Sequence, residues 1–295
     1  MTERLIGRRL EDFAISPIQE MGAYEALWDN KNASFKNLAQ MHQKHPNALP
    51  SDFVPLKKRQ EYADHVRKRF AEAKISYGVR IHGDNEYPKR LRDAAYPVEL
   101  FYYQGWWDLT SSRCIAVVGT RNPTREGISR TRRLVRNLVK DNFTVVSGLA
   151  AGIDRTVHQT AIEEGGRTIA VIGTPLSRVY PKENAELQRQ IARDFLVISQ
   201  VPVKRYESQD YRLNRFFFPE RNITMSALTA ATIIVEAGET SGTLIQARAA
   251  LQQKRVLLIL DNCFRNSRLT WPIKYESKGA IRVQDYDEMR QYLTS

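Results

Sequence analysis

Short segments rich in glycine and small hydroxyl residues follow several apolar runs in the second half of the chain. They cover residues 119–121, 147–154, 173–174 and 236–243, and the first of them includes Arg121. Glycine lets backbone N–H groups approach an anion closely, and a helix that begins there favours negative charge. Each segment alone is as well explained by a turn with a helix-capping residue. Four of them at the same edge of one sheet favour a phosphate-binding groove.

A second candidate is the polar segment 204–222, in which arginine residues are interleaved with aromatic residues. It places Arg215 and Arg221 on either side of residues 216–218, which are all phenylalanine. Arginine beside aromatic rings suits phosphate contacts together with base stacking, and each stacked base contributes about 1–3 kcal/mol. The alternative is that the phenylalanines pack in the core and the cations are solvated. Three adjacent side chains cannot all face inward from a helix or strand, so contact with nucleic acid is favoured.

Other kinds of site lack the residues that they need. The chain has no GxGxxG fingerprint, no GxxxxGK(S/T) loop and no GxSxG elbow, so dehydrogenase, nucleoside-triphosphatase and serine-hydrolase chemistry are unsupported. No cluster of His, Cys, Asp and Glu has metal-ligand spacing, and Cys114 and Cys263 are expected to be reduced thiols. Asp154 is expected to be a helix N-cap and His158 a packed histidine. The sequence therefore predicts no catalytic residue, no metal site and no cofactor.

The elements that would position these segments are short apolar strands separated by helix-length polar stretches. Six β-branched runs alternate with such stretches, which indicates βαβ crossovers. Residues 233–235 and 256–259 are apolar on both faces, as is typical of parallel strands covered by helices on each side. The fold class is therefore predicted to be α/β, with a doubly wound, mostly parallel sheet. The six runs are residues 114–119, 143–148, 167–173, 196–200, 231–237 and 255–260.

The first quarter of the chain has a different pattern. Residues 1–75 are predicted to be helical, with two short amphipathic pieces and a longer charged helix over residues 57–75. Residues 76–111 are rich in aromatic side chains with little periodicity, and are expected to cover one edge of the sheet. The sequence thus predicts a small helical N-terminal domain over residues 1–75 and a larger domain over residues 76–295.

The chain is basic, with 45 Lys and Arg against 33 Asp and Glu among 295 residues and a formal net charge of +12. This balance predicts a non-specific attraction to polyanions. Residues 121–140 hold seven cations and one acidic residue. Because the helix that follows Gly127 also has an apolar face, its cations at Arg132, Arg133, Arg136 and Lys140 are interpreted as a solvated face.

A cytoplasmic location is predicted. No apolar stretch approaches the roughly 18–20 residues that a membrane-spanning helix needs. The pair Arg8-Arg9 is followed at once by Glu11 and Asp12, so neither a secretory signal nor a twin-arginine signal is expected.

Six motifs follow one another along the larger domain. They are residues 118–121, 146–154 with His158, 166–174, 179–181 with Asn184, 218–222, and 235–237 with Ser241-Gly242. Their succession, over about residues 80–260, resembles the DNA-processing protein A (DprA/Smf) family. The resemblance implies an extended Rossmann-like domain, whereas residues 1–75 are not an obvious match to the family's usual N-terminal helical domain.

The resemblance also implies a function in binding rather than in catalysis. Members of the family bind single-stranded DNA through a basic pocket, form homodimers and help to load the RecA recombinase. Single-stranded DNA, a second copy of the chain and a RecA-type recombinase are therefore the expected partners. The residues expected to contact DNA are Gly119, Thr120, Arg121, Ser147, Gly148, Gly152, Gly173, Thr174, Lys182, Asn184, Arg215, Phe218, Arg221, Asn222, Ser241, Gly242 and Thr243.

The chain departs from the family's pattern in several places. The segment 223–227 lacks a second arginine, Gln200 replaces a glutamate, and a C-terminal winged helix is not expected. A short, diverged member is predicted, and two alternatives stay open. One is a regulatory or antitoxin component of an anti-phage defence or toxin–antitoxin pair, with a toxin protein as partner. The other is a nucleotide phosphoribohydrolase, ranked last because Gln246 replaces the required glutamate and cannot act as a general acid or base.

Overall fold

The chain folds around one mixed β-sheet. The computed structural model describes residues 15–293, and its strands there are β1 (Gly78–Ile81), β2 (Leu100–Gly105), β3 (Cys114–Gly119), β4 (Thr144–Ser147), β5 (Arg167–Ile172), β6 (Leu196–Ser199), β7 (Ala231–Glu236), β8 (Val256–Leu260) and β9 (Ile281–Val283). Their order in the sheet is β1-β2-β6-β5-β4-β3-β7-β8-β9. Strands β3 to β9 are parallel, whereas β1 and β2 pair antiparallel at one edge. The predicted α/β fold is confirmed, and the six predicted runs are β3 to β8.

Helices cover both faces of the sheet. Within the described residues they are α1 (Pro17–Leu27), α2 (Phe35–Lys44), α3 (Leu56–Glu72), α4 (Lys89–Arg92), α5 (Arg125–Lys140), α6 (Ile153–Glu163), α7 (Ala185–Asp194), α8 (Val203–Ser208), α9 (Phe217–Leu228), α10 (Thr243–Gln252), α11 (Asp261–Phe264), α12 (Trp271–Glu276) and α13 (Tyr286–Leu293). Helices α5, α6 and α13 share one apolar cluster with the sheet. Helices α9 and α10 share a second cluster with α1, α2 and α3. No helix between residues 15 and 293 combines the length and the apolar composition needed to span a bilayer.

Strand β3 shows why the predicted runs are continuously apolar. Its side chains alternate between the two faces, so Ile115 and Val117 join one cluster while Cys114 and Val118 join the other. Both faces are covered by helices, which favours apolar side chains on each. The apolar runs thus fix the sheet, and the polar residues collect in the loops at its edge.

The connectivity creates one switch point in the sheet. From β3 the chain builds outward through β4, β5 and β6, and then returns to place β7 on the other side of β3. The loops after β3 and β7 therefore leave the sheet in different directions. In open parallel sheets, ligands bind in the crevice that forms at such a point.

The N-terminal helices pack directly on the sheet. Met21 and Tyr24 of α1 belong to the same buried cluster as Phe101 and Tyr102 of β2. The predicted helical character of this part is confirmed from Pro17 onward, and a domain boundary at residue 75 stays a prediction. Residues 1–14, which include Arg8-Arg9, and residues 294–295 lie outside the described residues.

Candidate nucleic-acid interface

The loop after β3 is fixed by close backbone contacts. Thr120 donates its N–H to the Glu236 carbonyl oxygen (2.7 Å), and its own carbonyl oxygen accepts from Ile153 N–H (3.1 Å). A Cβ atom at Gly119 would lie 2.6 Å from the Ile153 side chain. Gly152 has φ +76° and lies against the carbonyl groups of residues 120 and 121. These two glycines allow three loops to meet, and they leave the Arg121 side chain exposed.

The turn after β7 is joined to the same place. Thr243 donates its hydroxyl to the Gly119 carbonyl oxygen (3.1 Å), and the Ser241 hydroxyl accepts from Thr243 N–H (3.2 Å). Asn222 on α9 donates its side-chain amide to the Gly242 carbonyl oxygen (3.2 Å). The start of α10 is thereby held beside the end of β3, at the switch point of the sheet.

Between these loops lies an open cavity of about 460 Å³, which an adjoining cavity of about 290 Å³ extends. We call the two together the trough. The first part is lined by Val118, Gly119, Thr120, Arg121, Ala150, Asp154, Arg221, Asn222, Met225, Gly238, Thr240, Ser241, Gly242, Thr243 and Gln246. The second shares Arg121, Arg221, Asn222 and Gly242 with it and adds Tyr180, Arg215, Phe218, Pro219 and Ile245. Ten of the predicted DNA-contacting residues are therefore brought together.

The other predicted site residues lie behind the wall of the trough or beyond it. The buried Ser147 hydroxyl donates to the Val117 carbonyl oxygen (2.8 Å), and the Thr174 hydroxyl donates to that of Arg178 (3.2 Å). Asn184 donates its amide to the Leu149 carbonyl oxygen (2.9 Å). These side chains hold the backbone of the strands and loops around the trough in place and do not line the trough themselves. Gly148, Gly152, Gly173 and Lys182 do not line the trough either, and DNA contacts by all seven stay predictions.

Arg221 is a buried cation, only 4% exposed. Its guanidinium donates to the carbonyl oxygens of Gly148 and Val171, the latter at 2.6 Å. Burial lowers the pKa of Arg221 to about 10, although the charge of Asp154 opposes this shift. Arg221 therefore supports the floor of the trough, and its predicted contact with phosphate stays a prediction.

Asp154 differs from its predicted role as a helix N-cap. The N-cap of α6 is Gly152, and Asp154 lies inside the first turn. Its carboxylate accepts from the N–H groups of Gly148 (3.2 Å) and Ala150 (3.4 Å) in the preceding loop. The prediction was wrong because this loop folds back over the start of the helix, which spacing in the sequence does not show.

The phenylalanine run divides between the core and the trough. Phe217 is buried, Phe216 is 56% exposed, and Phe218 is half-buried with its ring centroid 5.2 Å from that of Tyr180. The prediction that the three rings do not all face inward is confirmed. Tyr180 is 51% exposed beside Phe218, and it is not among the candidate residues predicted from the sequence. Its position directly before Pro181, within one of the recognised motifs, was the available signal.

His158 is fully buried, and its Nδ1 lies 2.7 Å from the Thr168 hydroxyl. The interpretation as a packed histidine is confirmed. Burial lowers the pKa of His158 to about 3, and the nearby charge of Arg221 acts in the same direction. The unfolded chain takes up a proton at this residue below about pH 6.5, so the free energy of unfolding should fall as the pH drops from 6.5 towards 3.

Urea denaturation at pH 7 and pH 4.5 would measure this effect. His158→Gln, which cannot titrate, should lose less stability over the interval than the unaltered protein does. Equal losses in the two proteins would contradict the assignment of acid sensitivity to His158.

Comparison with known proteins agrees with this geometry. Residues 78–294 match the family model of DNA recombination-mediator protein A. The chain belongs to this family. It is 32% identical to the DNA processing protein DprA of Bacillus subtilis over 209 residues, which are 70% of this chain and 68% of that protein. It is also 40% identical to Protein Smf of Synechocystis over 183 residues, or 61% of this chain, and there it spans 44% of the relative's length.

Solved structures of family members share the fold. The DprA structure from Streptococcus pneumoniae superposes with a TM-score of 0.73 at 24% identity, covering 94% of this chain and 98% of that one. A Helicobacter pylori DprA structure, described for its single-stranded DNA binding mode, gives a TM-score of 0.61 at 24% identity, covering 75% of this chain and 96% of the other. The extended Rossmann-like sheet predicted for the larger domain is thereby confirmed.

Proposed function

We propose that this family member binds single-stranded DNA in the trough and acts, without catalysis, as a mediator of DNA processing or recombination. The observation that carries the proposal is the exposure of Arg121 and Arg215 along one trough whose lining also includes hydroxyl groups, loop backbone and aromatic rings. Cations and backbone N–H groups suit phosphates, and rings suit unstacked bases.

The carboxylates in and around the trough support this assignment. Asp154 lines the trough but is buried, and its carboxylate accepts from the N–H groups of Gly148 and Ala150. Glu236 accepts from the N–H (3.0 Å) and the hydroxyl (2.8 Å) of Thr124, and Glu239 accepts from Thr270 N–H (2.9 Å). Both are thus engaged within the protein, while the two arginines remain available to a polyanion. The single-stranded DNA binding described for the Helicobacter pylori relative is consistent with this use of the same fold.

The other partners in this proposal are those that the family resemblance implies. A RecA-type recombinase as the recipient of the DNA, a homodimeric assembly and a cytoplasmic location belong to the same proposal. The defence or antitoxin role stays an open prediction. For the phosphoribohydrolase alternative, Gln246 lines the trough but is 1% exposed, with its Nε2 3.4 Å from the Thr232 hydroxyl. A neutral, buried amide offers no general acid or base.

Fluorescence anisotropy with a labelled oligo(dT) and a duplex of equal length tests the proposal. We expect the single strand to bind more tightly, because the rings can stack only on unpaired bases. If at least three phosphates are contacted, log Kd should change with log salt with a slope of about 2 or more, at about 0.7 per phosphate. Preference for the duplex, or a slope below that of one phosphate, would reject the trough as the binding site.

A further inference from the structure

The N-terminal helices contact the segment that carries Arg215 and Phe218. Glu25 of α1 is 1% exposed, and its carboxylate accepts from the N–H groups of Val203 (2.8 Å) and Lys204 (3.0 Å) at the start of α8. The Tyr102 hydroxyl donates to the same carboxylate (2.5 Å). The buried Glu25 carboxylate thus connects α1 to both β2 and α8 through these three hydrogen bonds.

Helix α8 is also hydrogen-bonded to the segment that carries Arg215 and Phe218. Asn214 donates its side-chain amide to the Tyr206 carbonyl oxygen (2.9 Å), and its Oδ1 accepts from the Gln209 amide (2.6 Å). The next residue along the chain is Arg215, which lines the trough. Hydrogen bonds at each end of α8, joined by the backbone of that short helix, therefore connect Glu25 to the residue before Arg215.

A second route passes through aromatic packing. The Phe217 ring is in edge contact with Trp28 (6.0 Å between centroids) and Phe35 (6.3 Å), which follow α1 and begin α2. Phe217 is flanked by Phe216 and by Phe218, the residue that lies against Tyr180 in the trough. Well-packed rings fix rotamers and transmit displacement, because protein interiors are close-packed.

We propose that α1 and α2 set the position of the Arg215–Phe218 segment, with Glu25 as a positioning residue for single-stranded DNA binding. This inference rests on the proposed function of the trough. Burial raises the pKa of Glu25 to about 7, which agrees with a carboxyl removed from water for a specific structural purpose. The N-terminal helices thereby act on DNA affinity without touching DNA.

Glu20 offers a matched control on the same helix. It is 3% exposed, burial also raises the pKa of its carboxyl, and it accepts from Ser51 N–H (2.9 Å), outside the path to α8. An amide in place of Glu25 cannot accept from both N–H groups of α8, so one stays unpaired in the interior. Glu25→Gln should therefore weaken binding to oligo(dT) by about tenfold, whereas Glu20→Gln should change it less than twofold.

A double-mutant cycle separates positioning from general destabilisation. The anisotropy titration compares the unaltered full chain with three single variants, Glu25→Gln, Asn214→Ala and Arg215→Ala. Two double variants combine Arg215→Ala with each of the others. All are measured at a temperature where circular dichroism shows each protein to be folded. If Glu25 acts through Arg215, its effect should largely disappear in the Arg215→Ala background. Asn214→Ala should behave in the same way, and it carries the test alone if Glu25→Gln does not fold.

The outcomes are distinct. Absence of binding by the unaltered protein overturns the proposed function and the inference together. Binding by the unaltered protein, with additive effects of Glu25→Gln and Arg215→Ala or with equal effects of Glu25→Gln and Glu20→Gln, overturns the inference alone.

Discussion

Replacing Arg121 by glutamate should weaken binding to oligo(dT) by about a hundredfold. Arg121 is exposed and lines both parts of the trough, so it can meet a phosphate without first breaking a contact within the protein. A hydrogen bond to a charged group contributes about 1.5–3 kcal/mol, and charge reversal adds repulsion to that loss. Anisotropy titration at a fixed salt concentration measures the change.

Arg132→Glu is the matched control for this experiment. It makes the same change in net charge on the exposed side of α5, where Arg132, Arg133, Arg136 and Lys140 form the predicted solvated face. We expect less than a threefold loss of affinity for Arg132→Glu. Similar losses in both variants would mean that net charge, rather than the trough, governs binding.

Replacing Arg221 by methionine should lower the free energy of unfolding by about 3–5 kcal/mol, because two buried carbonyl oxygens lose their donor, at about 1–3 kcal/mol each, and a buried carboxylate loses a nearby positive charge. The substitution removes the donor to the Gly148 and Val171 carbonyl groups. It also removes the positive charge that partly offsets the rise in the pKa of Asp154 caused by burial. Urea denaturation at pH 7 measures the effect.

The neighbouring Asn222→Ala is the control. Asn222 is only half-buried. Its Oδ1 accepts from Arg221 Nε (2.9 Å) and its amide donates to the turn after β7, so Asn222→Ala removes one Arg221 contact but keeps the cation, and stability should fall by about 1–2 kcal/mol. In the double variant with Asp154→Asn, part of the stability lost in Arg221→Met should return, because no buried carboxylate is left alone. A stable Arg221→Met protein would show that Arg221 is not a structural cation.

The sheet was predictable because its strands carry a local signal. Strands β3 to β8 are largely buried on both faces, so their mostly apolar runs stand out between polar helices. The antiparallel strands β1 and β2 did not give such a signal. Most of β1 is half-exposed, and β2 combines the buried Phe101 and Tyr102 with the half-exposed Tyr103. Only the pairing of β1 with β2 and of β2 with β6 shows them to be part of the sheet.

The site was predictable in part for a related reason. Glycine and hydroxyl residues at the ends of β3 and β7 identify loops, and the topology rule brings those loops together. The direction of each side chain depended on contacts with distant residues. Arg221 faces inward because the carbonyl groups of Gly148 and Val171 lie behind it, and Tyr180 becomes a candidate for stacking because Phe218 lies beside it.

The support given by the N-terminal helices could not be foreseen for the same reason. Glu25 is an ordinary acidic residue of a helix until α8, far along the chain, closes over it. Its burial, rather than its sequence context, distinguishes it from an exposed glutamate.

A crystal structure of the protein with a short oligo(dT) would locate the DNA. We expect phosphates within about 3 Å of the Arg121 guanidinium and of donors in residues 241–243, with a base against Phe218 or Tyr180. Ordered DNA on the Arg132–Arg136 face of α5, with the trough left empty, would contradict the assignment of the binding site.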